Sequence, residues 1–409
     1  MRRPSQRHSA SSPNFQAFKM TSIKNIHHAL TSVPNALLPS LIIGVTLLCG
    51  ANNASAAPRT ITAASCQFAD VASASATAID GDTLAIPAGT CNWHGDQLVV
   101  NAGVEIRGAG VQATVLERTE WASKEAMIRM ECYFAAKQAK FSGLTLKGNL
   151  NSTDRHKGLQ LVGGCFDFIV RHSRFEGFVG AGIEVTGPYT QRGVIYGNEF
   201  VNNYNSALRN LGYGIVVYAN NTWSTATLGT ADAVYVENNY MYGNRHHIAS
   251  NSGAKYVFRH NTTVANMLTR NFPQVDAHGL GNGSTTGTRS WEIYNNDFQT
   301  DLTPGSGTAN DAIGIRGGTG VIFGNTYGKN IATHAKLLTE AYFTANMTCP
   351  TTVVTPTPQD QVQDAYIWDT NTAKIANPCS NQIVAGTHFF LKPRPGYTPY
   401  TYPHPLRSQ

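Results

Sequence analysis

The amino-acid sequence predicts an all-β protein built as a parallel β-helix, a single-stranded solenoid with an N-terminal helical cap and an irregular C-terminal tail. Three observations predict this fold. A short strand that ends in asparagine recurs through the middle of the chain, glycine is abundant, and charged residues are scarce. In a solenoid, each coil buries one face of its short strands and pairs with the equivalent strands of the next coil.

The composition excludes two other classes of protein. Of the 409 residues, 42% are hydrophobic, which is enough to form a large buried core. Asp, Glu, Lys and Arg make up only 14%, against about 25% in an average soluble protein. A solvated coiled coil and a charged disordered chain are therefore excluded. The 38 glycines favour turn-rich β-structure over helices.

The first 56 residues have the features of a secretory signal with a long basic lead. An apolar stretch at residues 36–48 is too short to span a bilayer as a helix, and Ala54-Ser55-Ala56 supplies the A-x-A pattern of signal cleavage. The alternative interpretation is a buried N-terminal helix. We expect a secreted or periplasmic protein that is not membrane-bound after cleavage. The basic residues of the lead are Arg2, Arg3, Arg7, Lys19 and Lys24.

Cleavage after Ala56 also changes the charge argument. The whole chain has 31 Lys and Arg against 25 Asp and Glu, a formal charge of +6. Such a charge suggests a nucleic-acid or acidic-polymer partner. Removing the five basic residues of the lead leaves 26 − 25 = +1. The basic excess therefore belongs to the predicted targeting segment, and we expect no nucleic-acid partner.

The cysteines agree with export. Six remain after the predicted cleavage, and an even number in an exported chain indicates disulfides. Sequence order suggests one of the 15 ways of pairing six cysteines. It consists of Cys66–Cys91, Cys132–Cys165 and Cys349–Cys379.

The repeated unit is an alternating apolar–polar strand followed by a polar turn residue. Its spacings of 25, 41, 22, 35 and 29 residues fit a coil of about 22 residues with loops of different length. Asparagine tolerates left-handed backbone geometry, so stacked asparagines at one corner are expected to hydrogen-bond in a ladder. The matched positions are Ser173, Asn198, Asn239, Asn261, Asn296 and Asn325.

The two ends of the chain differ from the repeat. The Ala-rich segment 69–78 predicts a short helix that covers the apolar end of the solenoid. The repeat fades after Asn330, and the Pro- and Tyr-rich tail from Lys392 to Ser408 is expected to pack along the outside. The predicted boundaries are 1–56 for the signal, 57–95 for the cap, 96–330 for the β-helix and 331–409 for the C-terminal region.

These features resemble the pectate-lyase-like superfamily of right-handed parallel β-helices. The resemblance depends on the entry segment 80–90, on the repeated strand–Asn–aromatic unit, and on the late coil 320–325, and it covers roughly Ala64 to Gly328. It implies an activity on polysaccharide, most commonly β-elimination of acidic polymers or glycoside hydrolysis. It also leaves Ca²⁺ open as a cofactor. No catalytic motif of a lyase subfamily matches residue by residue.

Alternation in a second strand family predicts the candidate site. It points Ile183, Ile215 and Ile248 inward and places a row of Glu, His and Arg outward, as a groove for sugar acids requires. A neutral histidine in such a row can accept a proton near pH 7. The candidate catalytic residues are His247, Asp276, His278 and Arg316, and the candidate substrate-binding residues are Tyr218, Arg245, His246, Glu184 and Arg270.

Simpler interpretations of these residues stay open. The Arg245-His246-His247 cluster is also typical of a basic solvated loop, His278 of a satisfied inward histidine, and Arg316 of a surface ion pair. A lone outward Glu184 is usually just solvated.

The same residues suggest which reaction is chemically feasible. β-Elimination needs a base and positive charge near a uronate carboxylate, and the row supplies both. The sequence thus favours a monomeric polysaccharide lyase acting on an acidic polysaccharide. A glycoside hydrolase or epimerase on the same fold, and a non-catalytic glycan-binding or surface structural protein, are the alternatives.

Overall fold

The computed structural model of the protein describes residues 57–409 apart from 121–125, 134, 136, 153, 188–190, 208–210, 281–283, 304, 345–347 and 350–360. The predicted signal segment, residues 1–56, lies outside the described residues. Within this part of the chain, the strands form three sheets in which every pair of neighbouring strands is parallel. The predicted all-β, right-handed parallel β-helix is confirmed.

Each coil contributes one strand to each sheet, so the sheets run side by side along the solenoid. Sheet 1 contains Thr60–Thr62, Thr83–Ile86, Glu105–Gly108, Lys140–Ser142, Phe166–Arg171, Arg192–Tyr196, Val234–Glu237, Lys255–Arg259, Ser290–Tyr294, Gly318–Phe323, Val362–Ile367 and Phe389–Phe390. Sheet 2 contains Gly89–Asn92, Thr114–Glu117, Thr145–Lys147, Arg174–Glu176, Glu199–Val201, Tyr240–Tyr242, Thr262–Ala265, Asp297–Thr300 and Thr326–Tyr327. Sheet 3 contains Leu98–Val100, Ala126–Glu131, Lys157–Val162, Ala181–Thr186, Tyr213–Tyr218, His246–Asn251, Val275–Ala277, Ala309–Ile315, Ile331–Leu337 and Ile375–Ala376.

The helices are short and lie outside the sheets. The α-helix Phe68–Ser75 falls in the segment predicted to cap the solenoid, and its Val71 side chain is fully buried. The second α-helix is Glu340–Thr344, and two 3-10 helices are Thr372–Lys374 and Pro405–Ser408. No helix in the described part of the chain has both the length and the apolar character needed to cross a membrane.

Strands of the sheets lie on both sides of the predicted helical range 96–330. Three strands fall within the predicted cap, residues 57–95, and four follow residue 330. The strand Ile331–Leu337 pairs in register with Ala309–Ile315 although the asparagine repeat has already ended. The C-terminal region, residues 331–409, therefore contributes to the sheets before it becomes irregular.

The core is a continuous column of apolar side chains inside the coils. In sheet 3 it contains stacked isoleucines, with Ile183 paired to Ile215 and Ile215 paired to Ile248 across neighbouring strands. All three side chains are fully buried. Burying a side chain of this size contributes about 1.5–3 kcal/mol to folding, so the inward row is the main source of stability in this sheet.

The predicted asparagine ladder is present at the corner between sheets 1 and 2. The Asn198 Nδ2 atom donates to Asn239 Oδ1 at 3.1 Å, and Asn239 Nδ2 donates to Asn261 Oδ1 at 3.0 Å. The same contact continues through Asn296 to Asn325, at 3.0 and 2.9 Å. Each amide also bonds to backbone groups of adjacent coils, so the ladder satisfies buried polar groups that an apolar corner would leave unpaired.

The three predicted disulfides are confirmed, and the tail packs on the outside as expected. Cys66–Cys91, Cys132–Cys165 and Cys349–Cys379 are all bonded. The tail crosses the outer face of sheet 1, where the Arg259 guanidinium donates to the carbonyl oxygens of Tyr400 and Thr401 at 2.7 and 2.8 Å.

Candidate functional site

A cleft of about 840 Å³ lies on the outer face of sheet 3. Its floor follows from strand register, because residues paired in a parallel sheet stack on the same face. One outward row passes across successive strands and changes from apolar to charged along the solenoid. It consists of Glu184, Val216, Ala249, Asp276, Gly314 and Lys336.

Asp276 is the centre of the charged part of the cleft. Its Oδ1 atom accepts a hydrogen bond from Arg316 Nε at 3.1 Å, and Arg316 Nη2 contacts its Oδ2 atom. Two imidazoles approach the same oxygen, with His278 Nε2 at 3.0 Å and His246 Nε2 at 3.3 Å. Three nitrogens therefore surround one carboxylate oxygen of Asp276, whose side chain is only 2% exposed.

Arg316 links this carboxylate to a second one. Its Nη1 atom donates to Glu340 Oε1 at 2.8 Å, and the backbone N–H of Gly279 donates to Glu340 Oε2 at 3.1 Å. Glu340 begins the short helix that follows the last long strand of sheet 3. Both of its oxygens thus accept hydrogen bonds, and Glu340 fixes Arg316 from the side opposite Asp276.

The charges of the cluster follow from burial and from these contacts. Burial alone would raise the pKa of Asp276, but the charge of Arg316 and the hydrogen bond from His278 hold it well below the usual range of a carboxyl group. Burial opposes the charge of Arg316 too, yet Asp276 and Glu340 raise its pKa. Asp276 and Arg316 are therefore both charged at neutral pH and form a buried ion pair.

The ring of His246 has a defined tautomer. Its Nδ1 atom contacts the carbonyl oxygen of Pro273, and because a carbonyl only accepts, Nδ1 carries the hydrogen. Burial lowers the pKa of His246 well below its ordinary value, so the ring is neutral and its Nε2 atom presents a lone pair to Asp276. That buried nitrogen has no hydrogen-bond partner.

His278 has the opposite arrangement. With Nε2 donating to the Asp276 carboxylate, a neutral ring has its lone pair on Nδ1, and this buried atom has no hydrogen-bond partner. The His278 side chain is 14% exposed at the cleft. An imidazole that a carboxylate orients in this way is the arrangement required of a general base.

Aromatic and basic side chains form the two walls. On one wall, the Tyr213 ring stacks on His246 at 5.8 Å between centroids, and the Arg245 guanidinium lies 4.8 Å from the Phe272 ring. On the other wall lies Tyr218. Burial raises the pKa of both tyrosines, so each keeps a phenolic O–H. Among the described residues, no carboxylate forms an ion pair with Arg245.

A glycine makes room for the Pro273 ring beside the cleft. Gly314 occupies the outward row on the neighbouring strand, and a Cβ atom there would lie 2.9 Å from Pro273 Cγ but at an ordinary contact distance of 3.7 Å from Asp276 Oδ1. The glycines after Arg316 have a different role. A Cβ at Gly317 would lie 2.9 Å from the Gly279 backbone, so this space is filled by the neighbouring coil.

The structure brings together most of the residues predicted from sequence. Asp276, His278 and Arg316 are in direct contact, and Tyr218, Arg245 and His246 line the same cleft. Arg316 forms an ion pair, as the simpler interpretation allowed, but the pair is buried.

The predicted outward orientation of His247 is wrong. Its side chain is fully buried, and its Nδ1 atom bonds to the Asn244 side chain at 3.0 Å. Asn244 in turn accepts from Asn203 at 2.8 Å, so His247 ends a second, shorter asparagine ladder. Both His247 and Ile248 point inward because the strand departs from strict alternation at its start. Gly214 is the equivalent residue on the neighbouring strand.

Two other predicted residues lie away from the cluster. Glu184 is in the outward row, but three strand spacings of about 4.8 Å separate it from Asp276. It accepts hydrogen bonds from Lys157 and Gln160 at 2.7 and 2.6 Å. Arg270 does not line the cleft, because its guanidinium donates to the carbonyl oxygen of Ser306 at 2.7 Å and fastens a loop there.

Sequence reasoning did not find several residues of the cleft. Lys336 and Glu340 follow the end of the asparagine repeat, although the alternation of buried Ala335 and Leu337 was a signal that sheet 3 continues. Arg155 enters the cleft from a loop, where no periodicity indicates which way a side chain points.

The carboxylates of the cleft do not fit a Ca²⁺ site. Calcium takes six to eight oxygen ligands, largely carboxylates and carbonyls. Here the oxygens of Asp276 and Glu340 are occupied by nitrogen donors, and Asp311 contacts Lys336 Nζ at 3.3 Å. In the described ranges, no group of three or more His, Cys, Asp or Glu residues has an arrangement that could hold a metal ion.

Fold and site together define the class: a parallel β-helix with a charged and aromatic cleft on one sheet. No protein-family model matches the chain, and no curated protein sequence matches it. Among solved structures, it is similar to an alginate lyase from Paenibacillus sp. str. FPU-7, with 17% identity over 68% of this chain and 99% of that one and a TM-score of 0.42.

Two further similar structures come from other organisms. One is the family 28 exopolygalacturonase of Yersinia enterocolitica, with 10% identity, coverage of 85% and 78%, and a TM-score of 0.33. The other is the A-module of the Azotobacter vinelandii mannuronan C-5 epimerase AlgE4, with 17% identity, coverage of 65% and 91%, and a TM-score of 0.28. These similarities are too distant to assign a role to any residue here.

Proposed function

We propose that this protein is a carbohydrate-active enzyme, a lyase that cleaves uronate-containing polysaccharide by β-elimination. The observation that carries the proposal is the Asp276–His278 pair at the cleft. A buried, ionised carboxylate holds one nitrogen of the imidazole and leaves the lone pair of the other for a proton. His278 is therefore the proposed base that removes the proton next to the uronate carboxylate.

The remaining groups supply what elimination needs. As the proton leaves C5, the C4–O bond breaks, a C4–C5 double bond forms, and the departing oxygen takes a proton. Arg245 lies between the rings of Phe272 and Tyr213 and has no carboxylate partner in the described chain. We propose that its positive charge binds the uronate carboxylate and stabilises the charge that develops there. The phenol of Tyr213, which faces the charges of Asp276 and Arg316, is the proposed proton donor.

The carboxylates favour elimination over hydrolysis. Glycoside hydrolysis uses two carboxyl groups about 5–10 Å apart, and one of them must be protonated. Asp276 and Glu340 share Arg316, and all their bonded oxygens act as acceptors. Glu184 lies about 14 Å from Asp276 by strand register, which is too far for such a pair.

Disulfides also support a proposed location. Three disulfides in one chain are typical of an oxidising compartment. We therefore propose that the protein is secreted or periplasmic and that it meets its polysaccharide there.

The direct test is formation of unsaturated uronate from pectate, alginate and glycosaminoglycans, followed by ultraviolet absorbance. We expect a rise on at least one polymer and a loss of about 10²–10⁴-fold in rate for His278→Ala, as for removal of a general base. The matched control is His94→Ala, because His94 is exposed in a loop and lies far from His278 in the sequence.

Three results would contradict the lyase. Binding without any absorbance rise would indicate a glycan-binding protein. New reducing ends without unsaturation would indicate a hydrolase. A change in uronate composition without cleavage, read by NMR, would indicate an epimerase.

A further inference from the structure

Arg155 is an exposed cation at the edge of the cleft, on the side away from Lys336. It precedes the strand Lys157–Val162, and its loop lies directly on the neighbouring coil, since a Cβ at Gly180 would be 2.7 Å from the Arg155 carbonyl oxygen. Arg155 lines the cleft, and its side chain forms no ion pair with any carboxylate of the described residues.

Arg155 shares this property with Arg245 and differs in it from two other cations of the cleft. Arg316 is neutralised by Asp276 and Glu340, and Lys336 contacts Asp311. An uncompensated guanidinium that opens into a cleft is suited to a carboxylate, which it can bind with two hydrogen bonds.

Glu184, the carboxylate of the outward row on this side of the cleft, is engaged elsewhere. It forms an ion pair with Lys157 at 2.7 Å and also accepts from Gln160. The anion that would pair with Arg155 is therefore expected from outside the chain.

Tyr218 lines the same cleft as Arg155 and supplies a surface for a sugar ring. Burial raises the pKa of its phenol, so the O–H stays protonated. Tyr218 packs with Val216 and Ala249 in an apolar patch of the cleft floor. Aromatic rings beside apolar side chains are suited to the C–H face of a pyranose.

The distance from the proposed base follows from register. Tyr218 pairs with Asn251, and Asn251 lies beside His278, because Ser250 pairs with Ala277 on the next strand. Two strand spacings, about 10 Å, thus separate Tyr218 from His278. A polymer crossing the strands would bring a sugar other than the reacting one to Tyr218.

We propose that Arg155 and Tyr218 form a second subsite that binds a carboxylated sugar of the polymer, on the side of the Asp276–His278 site away from Lys336. Arg155 pairs with the carboxylate, and Tyr218 stacks on the ring. The position relative to cleavage rests on the proposed function, whereas the binding itself does not. The substrate is accordingly a polymer with uronates at more than one position along the bound segment.

The test is calorimetric binding of tetrameric oligogalacturonate and oligoalginate, and of their carboxyl-reduced forms, to the full chain carrying His278→Ala. We expect Arg155→Gln to weaken binding of the acidic oligomer at least about tenfold, the effect of one charge-assisted contact. Binding of the carboxyl-reduced form should not change. Arg192→Gln, which removes a half-exposed arginine from sheet 1, is the charge-matched control and should bind as the parent does.

Tyr218→Ala provides an independent test, because this variant should weaken the binding of both the acidic and the carboxyl-reduced oligomer. Equal affinity of Arg155→Gln and the parent, equal losses for both oligomers, or no binding of either acidic oligomer would overturn the subsite. If the wild-type protein forms no unsaturated product but shows carboxylate-dependent binding through Arg155, the lyase fails and the subsite stands. If it cleaves and Arg155→Gln has unchanged kcat/KM, the subsite fails and the lyase stands.

Discussion

Two buried arginine–carboxylate clusters lie on different sheets of this β-helix, and they are built differently. On sheet 1, Arg259 and Glu237 are covered by the C-terminal tail and neither side chain is exposed. On sheet 3, Arg316 joins Asp276 and Glu340 at the bottom of an open cleft. Both are ion pairs taken out of water, which is expensive unless every polar atom finds a partner.

The cluster on sheet 1 meets that condition. All five guanidinium hydrogens of Arg259 have acceptors, namely Glu237 from both Nε and Nη2, the Tyr294 hydroxyl, and the carbonyl oxygens of Tyr400 and Thr401. The other carboxylate oxygen of Glu237 accepts from the tail as well. This cluster fastens the tail to the solenoid, and its contribution is to stability.

Around the cluster on sheet 3, buried nitrogens of His246, His278 and Arg245 have no hydrogen-bond partner, and each is next to the ion pair or on the adjoining wall. Beside the cluster on sheet 1, one buried nitrogen, His404 Nε2, has none. Buried polar atoms are rarely left unpaired in native proteins, so a group of them in one cleft indicates a site prepared for a ligand. The difference teaches that burial and ion pairing alone do not identify a functional site, whereas several unsatisfied atoms gathered in one open cleft point to one.

The largest expected effect comes from Asp276→Asn. The amide can no longer fix the His278 imidazole with the same charge and tautomer, so we expect the elimination rate to fall by about 10³–10⁴-fold. Far-ultraviolet circular dichroism should stay unchanged. Asp167→Asn is the matched control, because Asp167 has a left-handed backbone (φ 58°) that asparagine tolerates, and it lies on sheet 1. Wild-type rates in Asp276→Asn would contradict the assignment.

The second effect is on stability and comes from Arg259→Met. Removing the guanidinium leaves the Glu237 carboxylate buried with fewer partners, so we expect the free energy of unfolding to fall by about 3–5 kcal/mol, measured by urea denaturation. Adding Glu237→Gln should recover part of that loss. The elimination rate per folded molecule of Arg259→Met should equal that of the wild type. A lower elimination rate would contradict the assignment of this cluster to stability alone.

The smallest effect concerns His247, which sequence placed in the cleft. Burial lowers its pKa to about 3, whereas the unfolded chain takes up the proton near pH 6.5. Between these values the unfolded state binds more protons. The stability from a neutral His247 is thus complete above about pH 6.5 and is lost as pH falls toward 3, by up to about 1.4 kcal/mol per pH unit.

His247→Asn removes this dependence while keeping an acceptor for Asn244. We expect the difference in unfolding free energy between wild type and variant to shrink or reverse on acidification from pH 7 to pH 4. His94→Asn, at an exposed position, should give a difference that does not vary in this way. If the difference in unfolding free energy between wild type and His247→Asn does not depend on pH, the His247 ring is not held neutral by the fold. A large loss of elimination rate in His247→Asn at pH 7 would indicate that His247 takes part in the cleft after all.

Much of the fold could be predicted from the sequence because the repeat is local and periodic. The corner asparagines Asn198 to Asn325 were found by their register, and the structure confirms their ladder. At the C-terminal end, the predicted β-helix is too short, because the strand that contains Lys336 continues sheet 3 without an asparagine at the corner.

The candidate site was harder to predict, because it depends on which way single side chains point. Strict alternation from Ile248 places His247 outward and His246 inward, and the structure has the reverse, with His246 beside Asp276 and His247 in the second ladder. An irregular strand start next to glycine breaks the period of two, and no composition rule locates such a break.

The sequence by itself determined the solenoid and the corner ladder, since each depends on residue types at repeated positions. It suggested the disulfide pairing as one of 15 possibilities, and the structure shows that pairing. Only the tertiary structure decided that Arg316 is bound to Asp276 and Glu340, and that Arg155 is not paired with a carboxylate. The physical reason is that charge compensation is a property of contacts between coils, across 24 and 40 residues of sequence for Arg316. Those contacts form only when the strands stack in register.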